Sequence, residues 1–284
     1  MLSLSNIGFL RRHRVGKRFA RAVQPGARLI RGIVRVLRPG LKVRKKIGES
    51  GRYLFDGQFL LSDFRSWGTE HNSGFSSMIA EAQGKRCVLD VGAHIGLTAL
   101  PLADAVGPLG TVIAFEPGTV NFPILLQHVK INKKKNIVCE NVLIGNKEIA
   151  RGKEYFEDLS VSGMNSLFMV DDRKYQGRSD ISMRTIDRYC LDHNISPDML
   201  KIDVEGAELL VLEGSLQTLK KCRPTVYISI HPRQLALQEI KPRDVKYFML
   251  RLGYVWYYAD GSEIGGEDLE FNEYVARPKT VSAK

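Results

Sequence analysis

The sequence has no apolar run of eighteen residues, and no apolar segment follows its basic N-terminus, so neither a membrane span nor a secretory signal is expected. It is poor in cysteine. Cys87, Cys139, Cys190 and Cys222 lie far apart with no C-x-x-C pair, which points to reduced, buried thiols in a cytoplasmic protein. Acid is missing altogether from residues 1 to 48, which carry fourteen Lys or Arg, so the net charge of +11 is a local property and the remainder is slightly acidic. Within that block Leu29, Ile30, Ile33, Val34 and Leu37 recur at helical spacing between Arg28, Arg31, Arg35 and Arg38. The pattern predicts a basic amphipathic helix. It fits peripheral contact with anionic lipid, an organellar presequence or a nucleic-acid tail.

What is present is a chain of 284 residues, 44% apolar and 26% charged, enough for one large α/β domain plus an extension. Asp56-Gly57 between short apolar runs predicts a hairpin over 52–61, and Asn72-Ser73 a cap for a helix through Met78 and Ala82. From there apolar strands at 87–92, 111–116, 137–143, 199–204 and 225–230 alternate with helical patterns at 96–106, 120–131, 185–194 and 207–220. This alternation predicts a doubly wound, mostly parallel sheet covered on both faces. A further helix ends at Gly253, and "YVWYYA" and "NEYVARP" follow as two strands joined without a helix, hence antiparallel. The expected division is an extension over 1–48, a hairpin and helix over 49–84, a ligand-binding domain over 85–278 and a tail over 279–284. Residues 150–182, polar and rich in glycine and serine, read as a surface excursion.

In such a sheet the first strand-to-helix turn borders the ligand. Here it reads "VLDVGAHIGLTAL", residues 88–100. Gly92 and Gly96 loosen the backbone, but the spacing is not the G-x-G-x-x-G of dinucleotide sites, and Asp90 precedes it. A carboxylate there suits an ammonium group better than a pyrophosphate. The next strand ends "VIAFEPG" in Glu116, where nucleoside-binding sheets take hydrogen bonds from ribose hydroxyls. Together the two acids describe S-adenosylmethionine better than a nicotinamide dinucleotide. Downstream, "LKIDVEGAELLVLEG" places Asp203 and Glu205 at a third strand tip, and "TVYISIHP" places His231 at a fourth. A base would be wanted there.

The ordered set "VLDVGAHIGLTAL", "VIAFEP", "RTIDRYC" and "LKIDVEGAELLVLEG" resembles the FkbM family of S-adenosylmethionine-dependent methyltransferases over about residues 85 to 278. The resemblance implies a Rossmann-like, seven-stranded class I methyltransferase sheet with one antiparallel C-terminal strand, and methyl transfer to a hydroxyl of a sugar, glycan or other small metabolite. It implies that Asp90, Gly92, Ala93, His94 and Gly96 cradle the methionine part, that Glu116 holds the ribose with Pro117 also at the cofactor, and that Asn121 adds a ribose or adenine contact. Asn141 and Val142 would border the adenine, and Asp203 the methionine end or the reacting centre. Many members carry an acid just before the histidine, whereas this chain reads Ile228-Ser229-Ile230-His231, which moves the expected base to His231 or Asp203.

No metal is required by this scheme, although Asp203, Glu205 and His231 are the set that would ligate Mg²⁺ or Mn²⁺. Trp67 reads as a core anchor and Glu70-His71 as a loop near the pocket. A nicotinamide-dependent oxidoreductase and an RNA methyltransferase are the rival functions. The first lacks its glycine fingerprint and the second a dense basic and aromatic surface, so a nucleic-acid substrate is not expected.

Overall fold

The computed structural model describes residues 40–69, 72–158, 165–167, 175–266 and 268–279. The basic helix expected over 28–38, the pair at 70–71 and most of the tail lie outside the described residues. The folded part opens with β1 (Lys42–Ile47) paired antiparallel to β2 (Gly51–Asp56). The hairpin is therefore earlier than expected, and the first folded residues lie inside the stretch assigned to the extension. Its turn falls at Gly48, whose positive φ of 47° suits glycine and whose missing Cβ leaves room for the Trp67 carbonyl. Asp56 instead accepts a hydrogen bond from the Gln58 amide and opens a 3-10 turn over Gly57–Phe59.

A seven-stranded sheet follows, built from β3 (Cys87–Val91), β4 (Thr111–Phe115), β5 (Ile137–Glu140), β9 (Met199–Ile202), β10 (Thr225–Ile230), β11 (Tyr254–Tyr257) and β12 (Asn272–Pro278). Their order is β11-β12-β10-β9-β3-β4-β5. All pairs are parallel except those of β12, which runs antiparallel between β10 and β11. The winding reverses between β3 and β9, so a crevice opens at their carboxyl ends.

Burial along these strands alternates between two helix layers. Leu89, Val91, Phe115, Leu200, Ile202, Ile228 and Ile230 pack with α4 (Ile186–His193), α5 (Glu208–Glu213), α6 (Leu216–Lys221), α7 (Pro232–Leu235) and α8 (Pro242–Arg251). Val88, Val112, Ala114, Met199 and Tyr227 pack with α1 (Phe75–Glu81), α2 (Ala99–Val106) and α3 (Asn121–Ile131). Both faces are dry, which is why the strands read as unbroken apolar runs.

Three expected elements differ. Asn72 does not cap α1: its Oδ1 accepts from the Gly68 amide, and Gly74 holds the cap position. The helix expected over 207–220 breaks at Gly214, where an added Cβ would stand 1.9 Å from the Gly145 carbonyl oxygen. The strand expected over 137–143 stops at Glu140, and Leu143–Ile144 leaves as β6 for a second sheet.

That second sheet, ordered β6-β8-β7, contains β7 (Ile149–Asp158) and β8 (Tyr175–Arg184). The surface excursion is thus a β-arm, and it is tied down at two places. The buried Glu157 accepts from the amide (2.8 Å) and hydroxyl (2.6 Å) of Thr119, and the Ser166 hydroxyl donates to the Glu205 carbonyl at 2.7 Å. The four cysteines are free, and among the described residues no helix is long and apolar enough to cross a membrane. Glu157→Ala removes a carboxylate with two charge-assisted bonds and should cost about 1–3 kcal/mol. Hydrogen exchange should then speed up at 155–157 and at 119 while β3 and β4 keep their protection. Unchanged exchange along the arm would show that this anchor does not hold it.

Candidate active site

The turn after β3 owes its shape to backbone conformations that side chains resist. Gly92 has φ of 84°, and a Cβ there would stand 2.0 Å from the Asp203 carbonyl oxygen, so glycine lets the tips of β3 and β9 touch. The Asp203 amide completes the contact by donating to the Val91 carbonyl at 3.0 Å. His94 (φ 51°) and Gly96 (φ 93°) also turn left-handed, which delays the helix until Ala99 and leaves an open cradle of backbone. Gly96 faces Leu125 of α3, so its role is packing.

Beneath the cradle lies a buried ion pair. Asp90 and Lys201 are register partners on β3 and β9. The Lys201 ammonium stands 3.1 Å from Asp90 Oδ1, donates to the Gly92 carbonyl at 2.9 Å and stands 3.8 Å from Asp203 Oδ2. Asp90 Oδ2 accepts from the Thr98 hydroxyl at 2.6 Å. Burial lowers the affinity of Lys201 for its proton, but Asp90 and Asp203 outweigh it and the pKa rises. Asp90 does meet an ammonium group, as its type and place suggested, but the ammonium belongs to Lys201. The acid is consumed by the fold.

Glu116 at the tip of β4 is 4% exposed and faces the cavity. It accepts from the His94 amide at 2.8 Å, the Gly118 amide at 2.9 Å and Asn121 Nδ2 at 3.3 Å. Burial still pushes its pKa up to about 7 against these bonds. The imidazole of His94 is held neutral, its pKa lowered to about 4 by burial and by Lys201. His94 Nε2 and Trp67 Nε1 are buried without a hydrogen-bond partner. Both residues line the cavity, and Trp67 is thus part of its wall rather than only a core anchor.

At the other end stand Asp203, Glu205 and His231. The His231 ring is buried; its Nδ1 bonds the fully buried Glu208 Oε1 at 2.7 Å, and its Nε2 lies 3.6 Å from Asp203 Oδ1 and 3.5 Å from Glu205 Oε1. Burial works against its positive charge, yet Glu208, Glu205 and Asp203 overcome this and raise its pKa to about 9. Three carboxylates so hold the imidazole that, with no cation beside it, its protonated form is favoured, and His231 acts on its neighbours rather than as a free base. Glu205 is pushed up to about 7, chiefly by burial.

Of the residues expected at the site, Gly92, Ala93, His94, Glu116, Pro117, Asn121, Val142 and Asp203 line one cavity of about 290 Å³. Asp90, Gly96, Asn141 and His231 stand behind its wall. Asn141 ties strand ends together, its Nδ2 donating to the Glu116 and Pro117 carbonyls. Lys201, Glu208, Tyr155 and Leu167 were missed. The first two carried a signal, since a lysine inside an apolar strand and an acid beside a glycine turn both demand partners. The last two belong to the arm.

A cavity at the reversal point of a doubly wound sheet, with a carboxylate at the second strand tip and a backbone cradle at the first, defines a nucleoside-binding enzyme of the class I methyltransferase type. The description "Methyltransferase FkbM domain" matches residues 90–256, more than half of the chain. The chain belongs to the FkbM methyltransferase family, whose methyl donor is S-adenosylmethionine.

Among solved structures, the FkbM methyltransferase of Methylobacillus flagellatus is 17% identical with a TM-score of 0.45, covering 78% of this chain and 54% of its own. The chain thus spans about half the length of that protein. An O-methyltransferase of Bacillus cereus in complex with SAH is 12% identical with a TM-score of 0.43, covering 73% and 80%. TYW2 of M. jannaschii in complex with AdoMet is 14% identical with a TM-score of 0.40, covering 83% and 84%. No curated protein matches.

Lys201→Met should leave Asp90 charged and unpaired in the interior, at a cost of about 3–5 kcal/mol. Adding Asp90→Asn keeps the Thr98 bond and should recover most of it. A double variant no more stable in urea than Lys201→Met would show that the pair is not the coupled unit described.

Proposed function

We propose that the chain transfers a methyl group from S-adenosylmethionine to a hydroxyl of a sugar, glycan or other small metabolite. The observation that carries this is the polarity of the cavity: a nucleoside end built around Glu116, and an acidic end where Asp203 and Glu205 face the same space. The cofactor fits what the cavity offers. Glu116, bonded by two amides, has lone pairs left for a ribose diol; Asn121 supports it; Pro117, Val142 and Phe115 give an apolar wall for a base. The buried, unpartnered Nε2 of His94 belongs to a residue that lines the same space as Gly92 and Ala93, suited to the polar amino-acid end.

When bound, S-adenosylmethionine supplies an electrophilic methyl group on a sulfonium. The chain's own task is to hold a hydroxyl oxygen in line with it and to accept the hydroxyl proton. Asp203 and Glu205 face the cavity and are the catalytic residues of this scheme. His231 and Glu208 are positioning residues that fix them from behind. Among the described residues Lys201 is the one Lys or Arg in the cavity wall and is already paired, which speaks for a small acceptor over a polyanionic RNA.

Glu116 sets a pH dependence. Ribose hydroxyls donate to the carboxylate, which is lost as pH falls through about 7, so S-adenosylmethionine should bind about tenfold more weakly at pH 6 than at pH 8. Calorimetry on Glu116→Gln should show weak and pH-independent binding; a wild-type slope surviving in this variant would exclude Glu116 as its source.

The reaction itself is tested by incubating the protein with methyl-labelled S-adenosylmethionine and a cell extract, then identifying the labelled product by mass. A small hydroxylated compound gaining one methyl group is expected. Asp203→Asn should lower turnover about 100-fold or more while keeping cofactor affinity within a few-fold. Label appearing only in RNA would overturn the acceptor class.

A further inference from the structure

We propose that Asp203, Glu205 and His231 hold a divalent cation of the Mg²⁺ or Mn²⁺ kind, whose open coordination positions face the cavity and receive the acceptor hydroxyl. One oxygen of each carboxylate and one nitrogen of the imidazole all lie within 4.8 Å of one another. The separations of 3.6 Å and 3.5 Å from His231 Nε2 to Asp203 Oδ1 and Glu205 Oε1 are long for N–H···O bonds, which want about 2.7–3.2 Å. They are close to what two ligands of one ion show, since metal–ligand distances of about 2.1–2.2 Å put neighbouring donor atoms about 3–3.5 Å apart. Two carboxylates and one imidazole form a hard, mostly oxygen set of the kind Mg²⁺ and Mn²⁺ accept.

The groups behind this set orient it as ligands are oriented. Glu208 Oε1 takes His231 Nδ1 at 2.7 Å, which leaves Nε2 as the atom presented to Asp203 and Glu205. Gln234 Nε2 donates to Glu205 Oε2 at 2.7 Å, which leaves Oε1 on the side of His231. The Gly206 amide donates to the same Glu208 oxygen at 2.9 Å, so the supporting carboxylate is itself held.

Charge gives an independent reason. Glu208 is fully buried, and its second oxygen, Oε2, has no hydrogen-bond partner. Around one imidazole the cluster thus gathers three carboxylates, one with a bare oxygen, and the Lys201 ammonium is 3.1 Å from Asp90 but 3.8 Å from Asp203. A buried surplus of negative charge is costly, and a divalent cation between Asp203, Glu205 and His231 removes it. The side chains of Asp203 and Glu205 are 27% and 16% exposed and line the cavity, while His231 closes the far side, so the unfilled positions of the ion point where an acceptor enters. An ion there binds the hydroxyl oxygen and makes its proton easier to lose.

Only the ion's role in turnover rests on the methyltransferase function; the site itself stands on its own geometry. The test is a titration of the metal-stripped full chain with Mn²⁺ followed by electron paramagnetic resonance, with S-adenosylmethionine affinity measured separately by calorimetry. One bound Mn²⁺ per chain is expected, displaced by Mg²⁺ and showing the nitrogen coupling of a coordinated imidazole. Asp203→Asn should weaken it at least tenfold, and His231→Gln should abolish the nitrogen coupling, with thermal melts confirming that both variants fold. Gln234→Leu, which removes a support and no ligand, should weaken binding severalfold and serves if a ligand variant fails to fold. No bound Mn²⁺ at millimolar concentration, or bound Mn²⁺ without nitrogen coupling, overturns the site. Failure to bind S-adenosylmethionine would instead count against the proposed function and leave the Mn²⁺ result to be judged by itself.

Discussion

The site depends on one buried ammonium group. Lys201 sits on β9 directly across from Asp90 on β3, at the place where the winding of the sheet reverses, and also reaches the Gly92 carbonyl and the side of Asp203. Two charges removed from water rarely stabilise a fold by themselves, because desolvation cancels most of their attraction. What the pair gains is position. It fixes the level of the β3 tip against the β9 tip, and Gly92 then lets the two turns close to van der Waals distance. The turn after β3 and the Asp203 carboxylate after β9 are consequently parts of one rigid object.

The β-arm extends this rigidity over the cavity. Its two anchors fall on opposite sides of the reversal point: Glu157 grips Thr119 beside the Glu116 loop, and Ser166 grips the Glu205 carbonyl beside the acidic cluster. Tyr155 and Leu167, which flank the anchors in sequence, form part of the cavity wall. The arm thus borders the cavity both beside Glu116 and beside Glu205. The space between them is fixed by the chain rather than by either ligand.

The sheet was legible because both of its faces are dry, so each strand shows as a continuous apolar run whose length and punctuation cannot be hidden. Glu116 was legible for the same reason, being a lone acid at the end of such a run. Asp90 was placed correctly and assigned the wrong partner, since only the parallel register between β3 and β9 reveals that Lys201 stands opposite it. His231 was found at a strand tip, but its distance from the cavity is set by Glu208, a residue from a helix whose first turn the pattern treated as ordinary. The broken helix at Gly214 reflects the approach of Gly145, a long-range contact that no local periodicity records. The hairpin was misplaced because Asp56-Gly57 and Gly48 are both competent turn sequences, and burial of Val43, Ile47, Tyr53 and Phe55 on one face decides between them.

The electrostatics of the cavity follow from an imbalance that the fold does not resolve internally. Asp90, Glu116, Asp203, Glu205 and Glu208 gather around the crevice, against Lys201 and His231. Burial answers part of the excess by pushing Glu116 and Glu205 up to about 7, so near neutral pH both sit between their charged and neutral forms. A crevice in that condition holds cations better than neutral molecules, and a group that titrates near 7 can take up charge when a donor of hydrogen bonds arrives and give it up when the donor leaves. A sulfonium compound carries the positive charge such a site favours. Its demethylated product does not, so the same surplus of carboxylates that draws the donor in also weakens the hold on what remains after transfer.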